Sequence, residues 1–194
     1  MLIKFLKNAL VVSFALTFTA CTFLAPASTP NTTNLEKEEQ VVFSFFVSGS
    51  TGTVVILQDT STNISSDDPQ QSVDFIRSGF KSVSIETLNN FLERNSQPSQ
   101  LSPDMQPGVN YVLLSTDELS TIMQQTDGWS VFHEKYPNSG YTQFSRVGFN
   151  NSLDQAVIYV GNVAGPMMGA GFYYLMDKKD GQWVIKEQVM TWIS

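Results

Sequence analysis

The hydrophobic pattern of this 194-residue chain changes period once, near Tyr141, and that switch constrains the fold more than any other feature. Before it, apolar residues recur at helical spacing, as in Ile85, Leu88, Phe91 and Leu92, then Leu119, Ile122 and Met123, then Trp129, Phe132 and Tyr136. From Tyr141 onward the period is two. Four apolar runs are separated by turn formers at 150–152, a Gly-rich segment at 161–171 and Lys178 to Gly181, which predicts an antiparallel four-stranded meander. The last run alternates most cleanly, with Trp183, Ile185, Val189 and Ile193 on one face and Lys186 and Gln188 on the other. The expected class is α+β, with N-terminal helices packed on one face of this C-terminal meander.

Local signals divide the N-terminal half. Leu35, Val42, Phe45 and Phe46 share a helical face, which predicts a helix over 35–47 capped by Asn34. Thr53 to Leu57 (TVVIL) reads as a buried strand. A polar loop over 59–68 ends in Asp68-Pro69, a cap followed by proline at the first helical position, and the short helix after it stops near Gly79. Ser84 caps the next helix, whose Asn89, Asn90, Glu93 and Arg94 are expected in water. Val109 to Leu114 reads as a strand. Ser115 and Glu118 have the spacing of a capping box. The architecture resembles the helix-on-sheet cone of NTF2-like domains.

With 42% apolar residues and 14 Phe, and no internal repeat, the chain predicts one core in one domain over 35–194. Lys4 and Lys7 lie in the N-terminal segment, so 9 basic and 18 acidic residues follow it and the formal charge there is about −9. Such a surface repels phosphate backbones, and no basic stripe offsets it, so nucleic acid is not an expected partner. A single cysteine, Cys21, excludes both an internal disulfide framework and a CxxC-type zinc site.

Residues 1–20 (MLIKFLKNALVVSFALTFTA) place two lysines before a short apolar stretch and then small residues, the order of a secretory signal peptide. Phe18-Thr19-Ala20-Cys21 resembles the lipobox of bacterial lipoproteins, with Phe18 where that family carries Leu, Val or Ile. The resemblance implies cleavage before Cys21, acylation of its thiol and a membrane anchor in the cell envelope. Residues 21–34 then form a lipidated cysteine and a flexible tether rich in Pro, Ser, Thr and Asn. Ala25-Pro26-Ala27 is an ordinary cleavage site and implies the alternative, a secreted soluble protein.

Few residues offer chemistry. Segment 161–171 lacks both the G-x-G-x-x-G order and the following helix of a nucleotide loop, so its glycines read as hairpin formers. Met167 and Met168 within it suit a soft contact surface better than a copper site. His133 is the only histidine, and no G-x-S-x-G elbow accompanies it. Arg146, on the same face as Phe144 of a strand running from Tyr141 to Phe149, requires a partner for its charge. It is either half of an ion pair or a grip for a ligand anion, with Tyr159, Tyr173 and Tyr174 beside it. The adjacent carboxylates Glu38-Glu39 and Asp117-Glu118 are explained by helix starts. No cofactor or metal is expected.

The stretch from Phe144 to Ser194, with GWSVFHEKYPNSGY before it, is similar to a group of bacterial envelope proteins that end in W-I-S and carry no assigned activity. The sequence thus favours a non-catalytic binding or interaction domain of an envelope lipoprotein. The alternative is a hydrolase assembled from distant residues with His133 as base.

Overall fold

The computed structural model describes residues 32–61, 69–105 and 107–194. The expected signal peptide, Cys21, the expected tether up to Asn31, and residues 62–68 with the expected Asp68 cap lie outside the described residues. The class is α+β, as the change of period implies, with five helices and a mixed, mostly antiparallel sheet. That sheet has seven strands rather than four.

The elements are α1 (Thr32–Val47), β1 (Val54–Leu57), α2 (Pro69–Gly79), α3 (Ile85–Arg94), β2 (Tyr111–Leu114), α4 (Thr116–Met123), α5 (Gly128–Lys135), β3 (Tyr141–Phe144), β4 (Gly148–Phe149), β5 (Gln155–Gly165), β6 (Met168–Lys179) and β7 (Gln182–Ile193). The sheet order is β2-β1-β3-β5-β6-β7, and β4 also pairs with β5. The two strands foreseen in the N-terminal half join this sheet, and β1 lies parallel to both β2 and β3. Parallel neighbours need long crossovers, here α2-α3 and α4-α5, so adjacency along the chain does not reveal them. Three of the four β1 residues are buried, as an unbroken apolar run in a two-sided sheet requires.

Helices cover both faces, not one. On the first face α1 sets Val42, Phe43 and Val47 against Phe144, Ile158, Met176 and Trp183. Phe43 stacks on Phe144 at 4.8 Å, while Phe45 is exposed. The helix is already formed at Thr32, so Asn34 lies within its first turn and does not cap it. On the second face α2 and α3 bury Ile76, Leu88 and Phe91 against Val157, Tyr173 and Leu175. Alongside them α4 and α5 bury Ile122 and Phe132 against Val55, Leu57 and Leu114. Ser84 and Ser115 cap as their spacing predicts, accepting from the amides of Thr87 and Glu118.

The predicted strand from Tyr141 to Phe149 is broken at 145–147, where the chain leaves the ladder between β3 and β4. Side chains in α3 and at its C-cap satisfy part of the freed backbone. Asn95 accepts from the Arg146 amide at 2.8 Å and donates to its carbonyl at 2.9 Å, and Asn90 accepts from the Phe149 amide. Gly148 stands where any Cβ would run into the backbone of Phe91.

The Gly-rich segment is mostly strand, with the turn confined to Pro166 and Met167. Its glycines make room for aromatic rings. A Cβ on Gly161 would stand 2.8 Å from the Tyr159 hydroxyl, and one on Gly169 would stand 2.9 Å from the Trp192 ring. The even alternation read in the last strand does not survive. Register shifts place one extra β7 residue, Lys186, opposite Leu175/Met176 and another, Thr191, opposite Gly171/Phe172. Each bulge moves the following side chains to the other face, so Trp183 packs with α1 while Val189 packs with α2 and α3.

Candidate functional site

The ligand-binding candidates separate in space. Arg146 turns toward α1, whereas Tyr159 and Tyr173 lie together on the opposite face with ring centroids 5.6 Å apart.

Arg146 has its partner within the chain. Its Nε donates to Glu39 Oε1 at 2.9 Å and its Nη2 donates to Oε2 at 2.8 Å, a bidentate fork. The Val147 amide also donates to Glu39 Oε1, at 2.8 Å. Arg94 Nη2 stands 2.9 Å from the same oxygen, close enough to pair in charge but out of line for a hydrogen bond. Burial by itself would lower the Arg146 pKa, but the hydrogen bonds and charge of Glu39 outweigh it and hold the guanidinium above its ordinary value. Glu39 is only 5% exposed and ties α1 to the break between β3 and β4. Its neighbour Glu38 accepts from Lys178 Nζ and Trp183 Nε1, which ties α1 to β6 and β7. These two carboxylates are structural clamps, and Arg146 is engaged in one of them.

A small-molecule-sized cavity of about 430 Å³ opens on the other face, between α2 and the end of β7. It is lined by Gln71, Ser72 and Phe75 from α2 and by Tyr173, Thr191 and Trp192 from the sheet. The bulge brings the consecutive residues Thr191 and Trp192 to the same side, both over Gly171. Trp192 Nε1 donates to the Tyr159 hydroxyl at 2.8 Å, and Tyr159 and Thr191 oxygens lie 2.7 and 2.8 Å from where a Gly171 Cβ would stand. Thr191 Oγ1 is buried with no hydrogen-bond partner among the described residues. Phe75, 42% exposed, stands 6.2 Å from Tyr173, whose phenol burial and nearby Tyr159 push well above its ordinary pKa. Neither Phe75 nor the Thr191-Trp192 pair was foreseen. A bulge leaves no mark in an alternating sequence.

A larger cavity of about 820 Å³, between the loops at 50–54 and 137–142, is lined by uncharged residues, most of them small, with Tyr141 and Met168 among them. On the face covered by α1, the end of the sheet is open. Met168, Met190 and Ile193 are 65%, 50% and 73% exposed, and Met167 at the hairpin tip is 83% exposed. Cross-strand pairing sets Ile193 opposite Ala170 and Met190 opposite Phe172, so these side chains form one patch.

His133 is exposed on α5, with its ring 5.5 Å from Trp129 and 5.8 Å from Phe132. Among the described residues no hydroxyl or carboxylate hydrogen-bonds to it, and no cluster of His, Cys, Asp and Glu could hold a metal ion. Among the same residues no helix is long and apolar enough to cross a membrane. No family model, curated protein or solved structure matches this chain.

Proposed function

We propose that this chain is an envelope lipoprotein, exported by residues 1–20 and anchored through acylated Cys21, whose folded domain is a non-catalytic module that binds a protein partner. The observation that carries the binding role is the exposed patch of Met167, Met168, Met190 and Ile193 at one end of the sheet. Contiguous exposed apolar side chains mark interaction surfaces, and thioethers adapt to the shape of an apolar partner. The lipobox-like Cys21 supports the anchor. Two acyl chains give stable attachment where a single chain is marginal.

Two experiments test this reading. Metabolic labelling with a fatty-acid analogue should mark the wild type and not Cys21→Ser. Equal labelling of both, or none, removes the anchor. Photo-crosslinking residues placed at 168 and 190 should trap one discrete envelope protein, while the same residue at Asp180, in the turn at the other end of the sheet, should not. Identical adducts from all three positions would remove the binding surface.

A further inference from the structure

We propose that the cavity between α2 and the bulged end of β7 is a binding site for a neutral saccharide. Its walls are aromatic. Phe75 and Trp192, with the nearly buried Tyr173 beside them, supply ring surface of the kind against which the C–H face of a pyranose packs. Its polar groups are uncharged: the Gln71 amide, the Ser72 hydroxyl and the Thr191 hydroxyl. Among the described residues no Lys, Arg, Asp or Glu lines it, so they offer an ionic ligand no counter-charge, and an anion would also meet the acidic surface of this chain. Thr191 Oγ1 is already buried without a partner among the described residues, so a wholly apolar ligand leaves it unpaired whereas a ligand hydroxyl that reaches it gains a hydrogen bond. A sugar satisfies both requirements, with an apolar face for the rings and hydroxyls for the polar floor.

The floor is built rather than incidental. Gly161, Gly169 and Gly171 leave the sheet bare so that Tyr159 and Trp192 can approach its backbone closely. The bulge then aims Thr191 into the same space. Trp192 is held by its hydrogen bond to Tyr159, so an aromatic wall is already ordered before a ligand arrives. The cavity falls within the roughly 300–1,000 Å³ span of small-molecule sites.

The test is a titration of the full chain with maltose, cellobiose and N,N′-diacetylchitobiose, followed by amide chemical shifts. At least one sugar should give saturable shifts at residues 71–75, 173 and 191–192. Phe75→Ala, a change at a half-exposed position, should weaken that binding about tenfold or more. Thr191→Val, which keeps the side-chain shape, should weaken it about fivefold. No shift from any of the three sugars at concentrations on the order of ten millimolar overturns the proposal. So does binding that Phe75→Ala leaves unchanged, or saturable shifts from an apolar probe such as indole with none from the sugars. The cavity lies on the opposite face from Met168 and Met190, so its failure and failure of the partner surface are read separately.

Discussion

At the scale of single residues, the least expected side chain is Glu39. Its sequence position is explained by a helix start alone, yet it is buried and receives Arg146, the Val147 amide and the charge of Arg94. Replacing it by Gln keeps the shape and removes the charge, leaving two cations at a largely dry site. Urea denaturation of Glu39→Gln should show a loss of about 3–5 kcal/mol. Arg146→Leu should cost less, because Arg94 still faces the carboxylate. Tyr173 gives a pH-dependent prediction. Burial, then Tyr159, raise its phenol pKa above the ordinary 10.0, so the unfolded chain gives up this proton at lower pH than the folded one. Its contribution to stability is complete below about pH 10 and is lost as pH rises toward the folded value. Between about pH 9 and about pH 11, the urea midpoint of Tyr173→Phe should therefore fall less than that of the wild type.

Among the elements, the break between β3 and β4 is where helix and sheet interlock most closely. Gly148 is wedged against the backbone of Phe91, which cannot swing aside as a side-chain tip can. Gly148→Ala should destabilise by about 1–3 kcal/mol in urea. Gly52, which has open space around its Cβ position, should tolerate the same change within about 0.5 kcal/mol. How much was legible here follows the range of the interaction. The caps at Ser84 and Ser115 and the helices they start depend on residues three apart, and both could be read directly. The inward turn of Asn90 and Arg94 could not, because their partners are Phe149 and Glu39, more than fifty residues away. The candidate site fared similarly. Tyr159 and Tyr173 do meet across paired strands, but Arg146 stays on the face of Phe144, where Glu39 of α1 takes up its charge, and the two tyrosines lie on the opposite face.

For the whole molecule, three buried clusters share one sheet. The β1-β2 edge is joined to the rest through β3, which pairs with both β1 and β5. This continuity predicts one cooperative unfolding transition. Phe132→Ala, in the cluster under α5, should cost about 3–5 kcal/mol, and Leu175→Ala, in the cluster under α2 and α3, about 2–5 kcal/mol. Each should shift a single transition in which tryptophan fluorescence and far-ultraviolet circular dichroism coincide. Two resolved transitions would show instead that the edge strands with α4 and α5 form a separable unit.

The change of period at Tyr141 was sufficient for the α+β class and for most helix boundaries, because both rest on patterns within a dozen residues. It did not disclose that the sheet runs to seven strands, that helices cover both of its faces, or that two bulges invert the alternation of β7. Each of these depends on which distant backbone a strand pairs with, and only the folded chain decides that. The cavity of Phe75, Tyr173, Thr191 and Trp192 exists for the same reason. One inserted residue in the ladder brings two neighbours in sequence onto one face, over glycines that had read as a turn.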